Sequence, residues 1–172
     1  MDVENDQPEN ELESREPSVE DLVALCGELN ARRARYVVVG GFAIRGAGYI
    51  RATMDIDLVI DCSLENEANV FDALRTLPDR AVDQLDPGDV EKYTVVRVAD
   101  EIVVDLMKSA SGIDYEEAKG GVVMREVGGV LIPFASPELL WRMKRTTHRE
   151  KDGLDLLFLR QLIEGAGGSV PD

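Results

Sequence analysis

In the first third of the chain, the spacing of apolar residues is typical of a helix and then of two strands. After Ser18 they recur at helical spacing as far as Leu29, and Asp21 completes a capping-box start for this helix. The β-branched runs at 36–39 and 55–60 are typical of two short strands. A pair of glycines stops the first strand, and a short helix is predicted between the two strands.

The remainder of the chain predicts one more helix, a run of strands and a helical C-terminus. Ser63 is the predicted cap of a helix that continues to about Leu77. The later predicted elements are strands at 92–98 and 101–107 joined by a tight turn at Ala99-Asp100, a short helix at 114–118, hairpin strands at 122–127 and 130–134, and helices that start at Pro137 and cover about 150–163. This order predicts an α+β fold with a mixed β-sheet core, helices packed on the sheet and a C-terminal helical segment.

The composition indicates one globular domain with short tails. The 172 residues suffice for one hydrophobic core, which is predicted to span 18–165 with C-terminal helices at 137–165. Residues 1–17 are acidic and polar and are predicted to form a disordered tail, and 166–172 a frayed one. No apolar run reaches the roughly 20 residues of a membrane span, and the N-terminus has no apolar signal core. Two cysteines, predicted to be free thiols, also favour the cytoplasm.

Charge and histidine content exclude several classes of function. The formal net charge is −15, and about half of it lies in residues 1–21. The rest of the chain is also acidic, which argues against broad binding to duplex nucleic acid because such binding needs phosphate neutralisation. The single histidine, His148, excludes a triple-histidine zinc site.

The strongest chemical signal is the pair Gly40-Gly41, followed after 13 residues by Asp55-Ile56-Asp57. Side chains alternate across a strand, so Asp55 and Asp57 are predicted to point to one face. Two adjacent carboxylates repel each other, and a fold tolerates them when they are solvated or hold a divalent cation such as Mg²⁺. The glycines would let the backbone approach a phosphate closely, and the helix that follows would direct N–H groups at it.

A third carboxylate is predicted from a neighbouring strand. Asp105 lies in the otherwise apolar run 102–107, where an aspartate is costly unless it is paired or metal-bound. Metal binding is the favoured interpretation, because two-metal phosphoryl chemistry uses several carboxylates. The alternative is a salt bridge between Asp105 and a nearby arginine.

These motifs resemble the nucleotidyltransferase superfamily, whose core pattern is a glycine turn followed by Asp-x-Asp. Residues 40–43 (GGFA) and 51–58 (RATMDIDL) are similar to the AbiEii-type branch, which includes toxins of bacterial toxin–antitoxin systems. Residues 136–140 (SPELL) and Lys144 also resemble the C-terminal pattern of that branch. The resemblance spans about 36–159. It implies a mixed-sheet core and the transfer of a nucleoside monophosphate from a nucleoside triphosphate (NTP).

The motif and the resemblance together assign roles to individual residues. Asp55, Asp57 and Asp105 are the predicted catalytic residues, and they would hold two Mg²⁺ ions, or Mn²⁺ in their place. The predicted nucleotide-binding residues are Gly40, Gly41, Arg51, Thr53, Lys144 and Lys151. For Arg51, a salt bridge that orients Asp55 or Asp57 is an equal alternative, and for the two lysines the alternative is plain solvation.

The predicted function is therefore magnesium-dependent transfer of a nucleoside monophosphate to an acceptor that the sequence does not define. RNA, a protein and a small molecule all remain open as acceptors. A toxin held in check by an antitoxin protein is one biological role for such an enzyme. The alternative from another class is a nucleotide- or partner-binding protein of the same fold that has lost turnover.

Overall fold

A six-stranded mixed sheet organises residues 14–49, 51–145 and 150–170, which are the part of the chain described by the computed structural model. The helices are α1 (Val19–Ala31), α2 (Gly40–Gly46), α3 (Leu64–Leu74), α4 (Asp89–Tyr93), α5 (Tyr115–Ala118), α6 (Pro137–Lys144) and α7 (Glu150–Gly165). The strands are β1 (Tyr36–Val39), β2 (Ile56–Ile60), β3 (Val95–Ala99), β4 (Val103–Met107), β5 (Ser109–Ala110), β6 (Ile113–Asp114), β7 (Val122–Val127) and β8 (Val130–Ala135).

The strands of the main sheet follow the order β3-β4-β2-β1-β8-β7, and β5 and β6 form a separate short ribbon. β1 is antiparallel to β2 and parallel to β8, while β2 is parallel to β4. Two antiparallel hairpins, β3–β4 and β7–β8, form the two edges. The predicted fold class, an α+β fold with helices on a mixed sheet and a helical C-terminus, is confirmed.

Serine caps start three of the helices, as their sequence positions predict. Ser18 and Asp21 form the reciprocal capping box of α1. The side chain of Ser63 accepts a hydrogen bond from the Asn66 amide at the start of α3. Ser136 caps α6 in the same way, with proline at the first helical position, where its missing N–H costs nothing.

Alternation along β2 separates the core from the site. Ile56, Leu58 and Ile60 are at most 1% exposed and belong to the hydrophobic core. Asp57 lies between them in sequence and therefore projects from the opposite face of the sheet. On the core side, α1 packs against α3 and against β8.

The strand predicted at 92–98 starts later than expected. Residues 89–93 form α4, and the strand begins at Val95. The buried Glu67 explains the difference, because its carboxylate accepts hydrogen bonds from the Gly88 and Val90 amides at 2.6 and 3.3 Å and so satisfies the start of this short helix.

The tight turn predicted at Ala99-Asp100 is also wrong in its details. The loop between β3 and β4 comprises the three residues 100–102. It is stabilised by the buried carboxylate of Asp100, which accepts hydrogen bonds from the backbone amides of Asp79, Ala81 and Glu101. With this loop, Ala99 pairs with Val103 and Arg97 pairs with Asp105.

Part of each predicted tail contacts the domain. In the segment 1–17, residues 1–13 lie outside the described residues, whereas Ser14 Oγ donates a hydrogen bond to the Asp100 carbonyl at 2.6 Å. At the other end, the Gly168 amide donates to the Ile163 carbonyl at the end of α7. Residues 171–172 and His148 lie outside the described residues. Among the helices described, none combines the length and apolarity needed to cross a membrane.

Candidate active site

Strand register brings the three predicted aspartates together. Asp57 in β2 is directly opposite Asp105 in the parallel strand β4. Asp55 immediately precedes β2, which starts one residue later than predicted. One carboxylate oxygen from each of the three side chains lies within 4.8 Å of the other two. The three aspartates therefore form one cluster, called here the acidic triad.

Asp57 lies in surroundings that disfavour its charged form. Its burial, followed by the charges of Asp55 and Asp105, raises the pKa of the Asp57 carboxyl to about 7. Desolvation disfavours the charged form of a carboxyl, and two neighbouring carboxylates add repulsion. A positive charge placed among the three oxygens would relieve both effects.

The donor set fits a hard divalent cation. All three groups are carboxylates, the ligand type that Mg²⁺ and Mn²⁺ prefer. Opposite ligands of an octahedral Mg²⁺ are about 4.2 Å apart, twice a bond of about 2.1 Å. The three carboxylate oxygens lie within 4.8 Å of one another, which is close to this distance.

Arg97 contacts the acidic triad and was missed by the sequence analysis. It lies in β3 directly opposite Asp105. Its Nε and Nη2 atoms donate to the two oxygens of Asp105 at 2.9 and 3.0 Å, and Nη2 also donates to Asp55 at 3.3 Å. The salt bridge considered as the alternative role of Asp105 is thus present, alongside the clustering of the three carboxylates.

Both predicted glycines are required by close packing against the site. Gly40 has a φ of +67°, and a Cβ there would lie 2.1 Å from Asp57 Oδ2. A Cβ on Gly41 would lie 2.3 Å from Thr53 Oγ1. The side chain of Thr53 is buried and donates to the Asp55 carbonyl at 3.3 Å. The glycine pair therefore lets the start of α2 lie directly on the strand that carries Asp57.

A buried ionic network links the two C-terminal helices to the site. Lys144, at the end of α6, is 6% exposed, and its Nζ contacts Asp152 at 2.9 Å and Asp155 at 3.2 Å. Arg51 Nε contacts the other oxygen of Asp155 at 3.1 Å. Asp155 is fully buried, so α7 supplies the charge that places both cations. Lys151 lies in the first turn of α7, and its side chain is outside the described residues.

The acidic triad and the cations share one cleft of about 410 Å³. The predicted site residues that line it are Gly40, Gly41, Arg51, Thr53, Asp55, Asp57, Asp105 and Lys144. Arg97 lines it as well. A smaller, adjoining cavity of about 240 Å³ shares Asp57, Lys144 and three further lining residues with the cleft, and its other residues are mostly apolar. The cleft therefore combines three carboxylates with three cationic side chains.

This sheet order and helix arrangement are those of a nucleotidyltransferase-like fold, which a solved structure shares. An antigenic nucleotidyltransferase-like protein from Paracoccidioides brasiliensis superposes with a TM-score of 0.56 at 17% identity, over 87% of this chain and 78% of that one. The lincomycin-bound lincosamide antibiotic adenylyltransferase LnuA gives a TM-score of 0.49 at 13% identity, over 86% and 99% of the two chains. The sequence matches no protein-family model and no curated protein at a significant level. The similarity to the Paracoccidioides brasiliensis protein supports the fold alone.

Proposed function

We propose that the protein is a metal-dependent nucleotidyltransferase that moves a nucleoside monophosphate from an NTP to a hydroxyl of an acceptor. The observation that supports this most directly is the acidic triad, whose carboxylate oxygens lie within 4.8 Å of one another in a cleft that also holds Arg51 and Lys144. Carboxylates for a divalent cation and cations for phosphate are the two requirements of phosphoryl transfer.

Each side of the cleft has a distinct task in this proposal. Asp55, Asp57 and Asp105 hold the cations, two Mg²⁺ or Mn²⁺ ions as the sequence predicts. Bound there, the metal would offset the charge on the transferring phosphoryl group and lower the pKa of the acceptor hydroxyl. Lys144 and Arg51 bind and orient the triphosphate, with Gly40 and Gly41 keeping the backbone close to it.

The buried ionic network supports the role given to Lys144 and Arg51. Before any ligand arrives, Lys144 is hydrogen-bonded to Asp152 and both cations form ion-pair contacts with Asp155, so less side-chain freedom is lost when a phosphate binds. A cation held in one position contributes more to binding than a solvated one for that reason. The same network supports tight orientation of the triphosphate next to the acidic triad.

Turnover can be tested by following pyrophosphate release and the incorporation of α-labelled NTP. Wild-type protein with Mg²⁺ is expected to release pyrophosphate and to label an acceptor from a panel of RNAs, proteins and small alcohols. Asp57→Asn is expected to lower the rate at least 100-fold, because phosphoryl transfer depends on metal charge at the reacting centre. Equal rates for the two proteins would contradict the proposal.

We further propose the AbiEii-type branch and a toxin role, which rest on residues 51–58 and on 136–140. Such an enzyme would act in the cytoplasm, where NTPs are supplied, and an antitoxin protein would control it. Expression in bacteria should then arrest growth, and Asp55→Ala should abolish the arrest. If the wild-type enzyme turns over in vitro but does not affect growth, the toxin role is contradicted. Nucleotidyl transfer itself would not be contradicted by that result.

A further inference from the structure

Arg97 is the cationic side chain that most directly engages the acidic triad, and the proposed function gives it no task. Its guanidinium forms a two-point contact with Asp105, at 2.9 and 3.0 Å, and reaches Asp55 at 3.3 Å. Planar two-point pairing of this kind is the strongest form of arginine–carboxylate contact. Arg97 therefore occupies both oxygens of one proposed metal ligand and one oxygen of another.

The two partners of this ion pair differ in exposure to solvent. The Asp105 side chain is 9% exposed and is fixed in the sheet, whereas the Arg97 side chain is 61% exposed on the edge strand β3. The guanidinium can therefore leave Asp105 by rotation of its own side chain, and the backbone stays in place. Arg97 lines the same cleft as Arg51 and Lys144.

Charge favours this movement when a divalent cation arrives. A guanidinium and a metal ion that share the oxygens of Asp105 and Asp55 would lie within a few ångströms of each other and would repel. A triphosphate in the cleft offers the displaced guanidinium a new anionic partner with the same two-point geometry.

We propose that Arg97 is an exchange residue. It competes with the divalent cation for Asp105 and Asp55, and it moves to the triphosphate when metal and nucleotide bind together. The site is thereby selective for the metal–nucleotide complex over the free ion. The second half of this inference rests on the proposed function, and the first half does not.

The first measurement is Mn²⁺ binding without nucleotide, followed by electron paramagnetic resonance of the free ion. Arg97→Gln is expected to bind Mn²⁺ about fivefold more tightly than wild type, the effect of losing one partly exposed ion pair. Arg80→Gln is the matched control, since Arg80 is also 61% exposed and pairs with a surface aspartate, Asp83. Its Mn²⁺ affinity should equal that of the wild type.

The second measurement is the binding of a non-hydrolysable ATP analogue at saturating Mn²⁺. Here Arg97→Gln is expected to bind about tenfold more weakly, the loss of one charge-assisted phosphate contact. Arg97→Lys, which keeps the charge without the planar fork, should fall between the two in both measurements. Opposite signs in the two measurements are the signature of exchange.

Two results would overturn the inference. Mn²⁺ binding by Arg97→Gln that is equal to or weaker than that of wild type would mean that Arg97 orders the carboxylates and does not compete for them. An unchanged affinity of Arg97→Gln for the analogue would show that Arg97 does not move to the triphosphate. If neither wild type nor variant binds the analogue, the proposed function fails, and the Mn²⁺ measurement still decides whether Arg97 competes with metal.

Discussion

At the scale of single residues, Asp57 is in an environment that opposes its ionised form. Burial and the charges of Asp55 and Asp105 raise the pKa of its carboxyl to about 7. An ionised Asp57 therefore destabilises the folded chain at neutral pH when no cation compensates it. A group that costs stability in this way is typical of functional sites.

Replacing Asp57 by Asn should remove this cost. In the presence of a chelator, the folded chain binds more protons at Asp57 than the unfolded chain does between the unfolded pKa of 3.8 and the folded pKa of about 7. Stability of the wild type should therefore fall as pH rises through this window, by about 2 to 4 kcal/mol relative to Asp57→Asn. Urea unfolding of both proteins from pH 4 to pH 8 measures the difference. Parallel stability profiles would show that Asp57 is not destabilised by its surroundings.

At the scale of secondary structure, the sequence predicts the elements better than their pairing. Capping serines, glycine turns and apolar periodicity predict α1, α3, α6 and the β7–β8 hairpin, because these signals are local. The acidic triad follows from the Asp-x-Asp motif and from an aspartate in an apolar strand. Both features are visible in sequence because they violate the local hydrophobic pattern.

The position of Arg97 could not be predicted, because it depends on strand register. A turn at Ala99-Asp100 would place Arg97 opposite Ile102, whereas the observed loop at 100–102 places it opposite Asp105. The observed loop is stabilised by hydrogen bonds from the backbone amides of Asp79 and Ala81 to the buried Asp100 carboxylate. These two residues are distant from the loop in sequence. Arg97 is paired with Asp105 because the observed loop is centred on Glu101.

Ion pairs of Asp155 connect the helices α6 and α7 to the site, and substitution of Asp155 tests their contribution to stability. Asp155→Asn should remove the buried negative charge that pairs with Lys144 and Arg51, and it should therefore destabilise the fold by about 2 to 4 kcal/mol. Asp83→Asn is the control, because Asp83 pairs with two arginines at the surface and should cost less than about 1 kcal/mol. Urea unfolding measures both variants. Equal costs would mean that the buried network contributes no more than a surface ion pair.

At the scale of the whole molecule, the chain is acidic, yet one cleft is lined by several cationic side chains. The net charge is −15, yet Arg51, Arg97 and Lys144 all line one cleft. An anionic nucleotide approaching such a protein is repelled unless its own charge is reduced, and a bound divalent cation reduces it. The overall charge and the acidic triad therefore both favour a nucleotide that arrives as a metal complex.

Isothermal titration calorimetry can show whether the acidic triad binds an NTP through a divalent cation. Each of the four NTPs would be titrated into wild type and into Asp57→Asn, with Mg²⁺ and with a chelator. At least one NTP is expected to bind wild type with Mg²⁺, and that binding should be lost both with the chelator and in the variant. Binding that is independent of Mg²⁺, or equal in the two proteins, would contradict the claim, as would no binding of any NTP to the wild type.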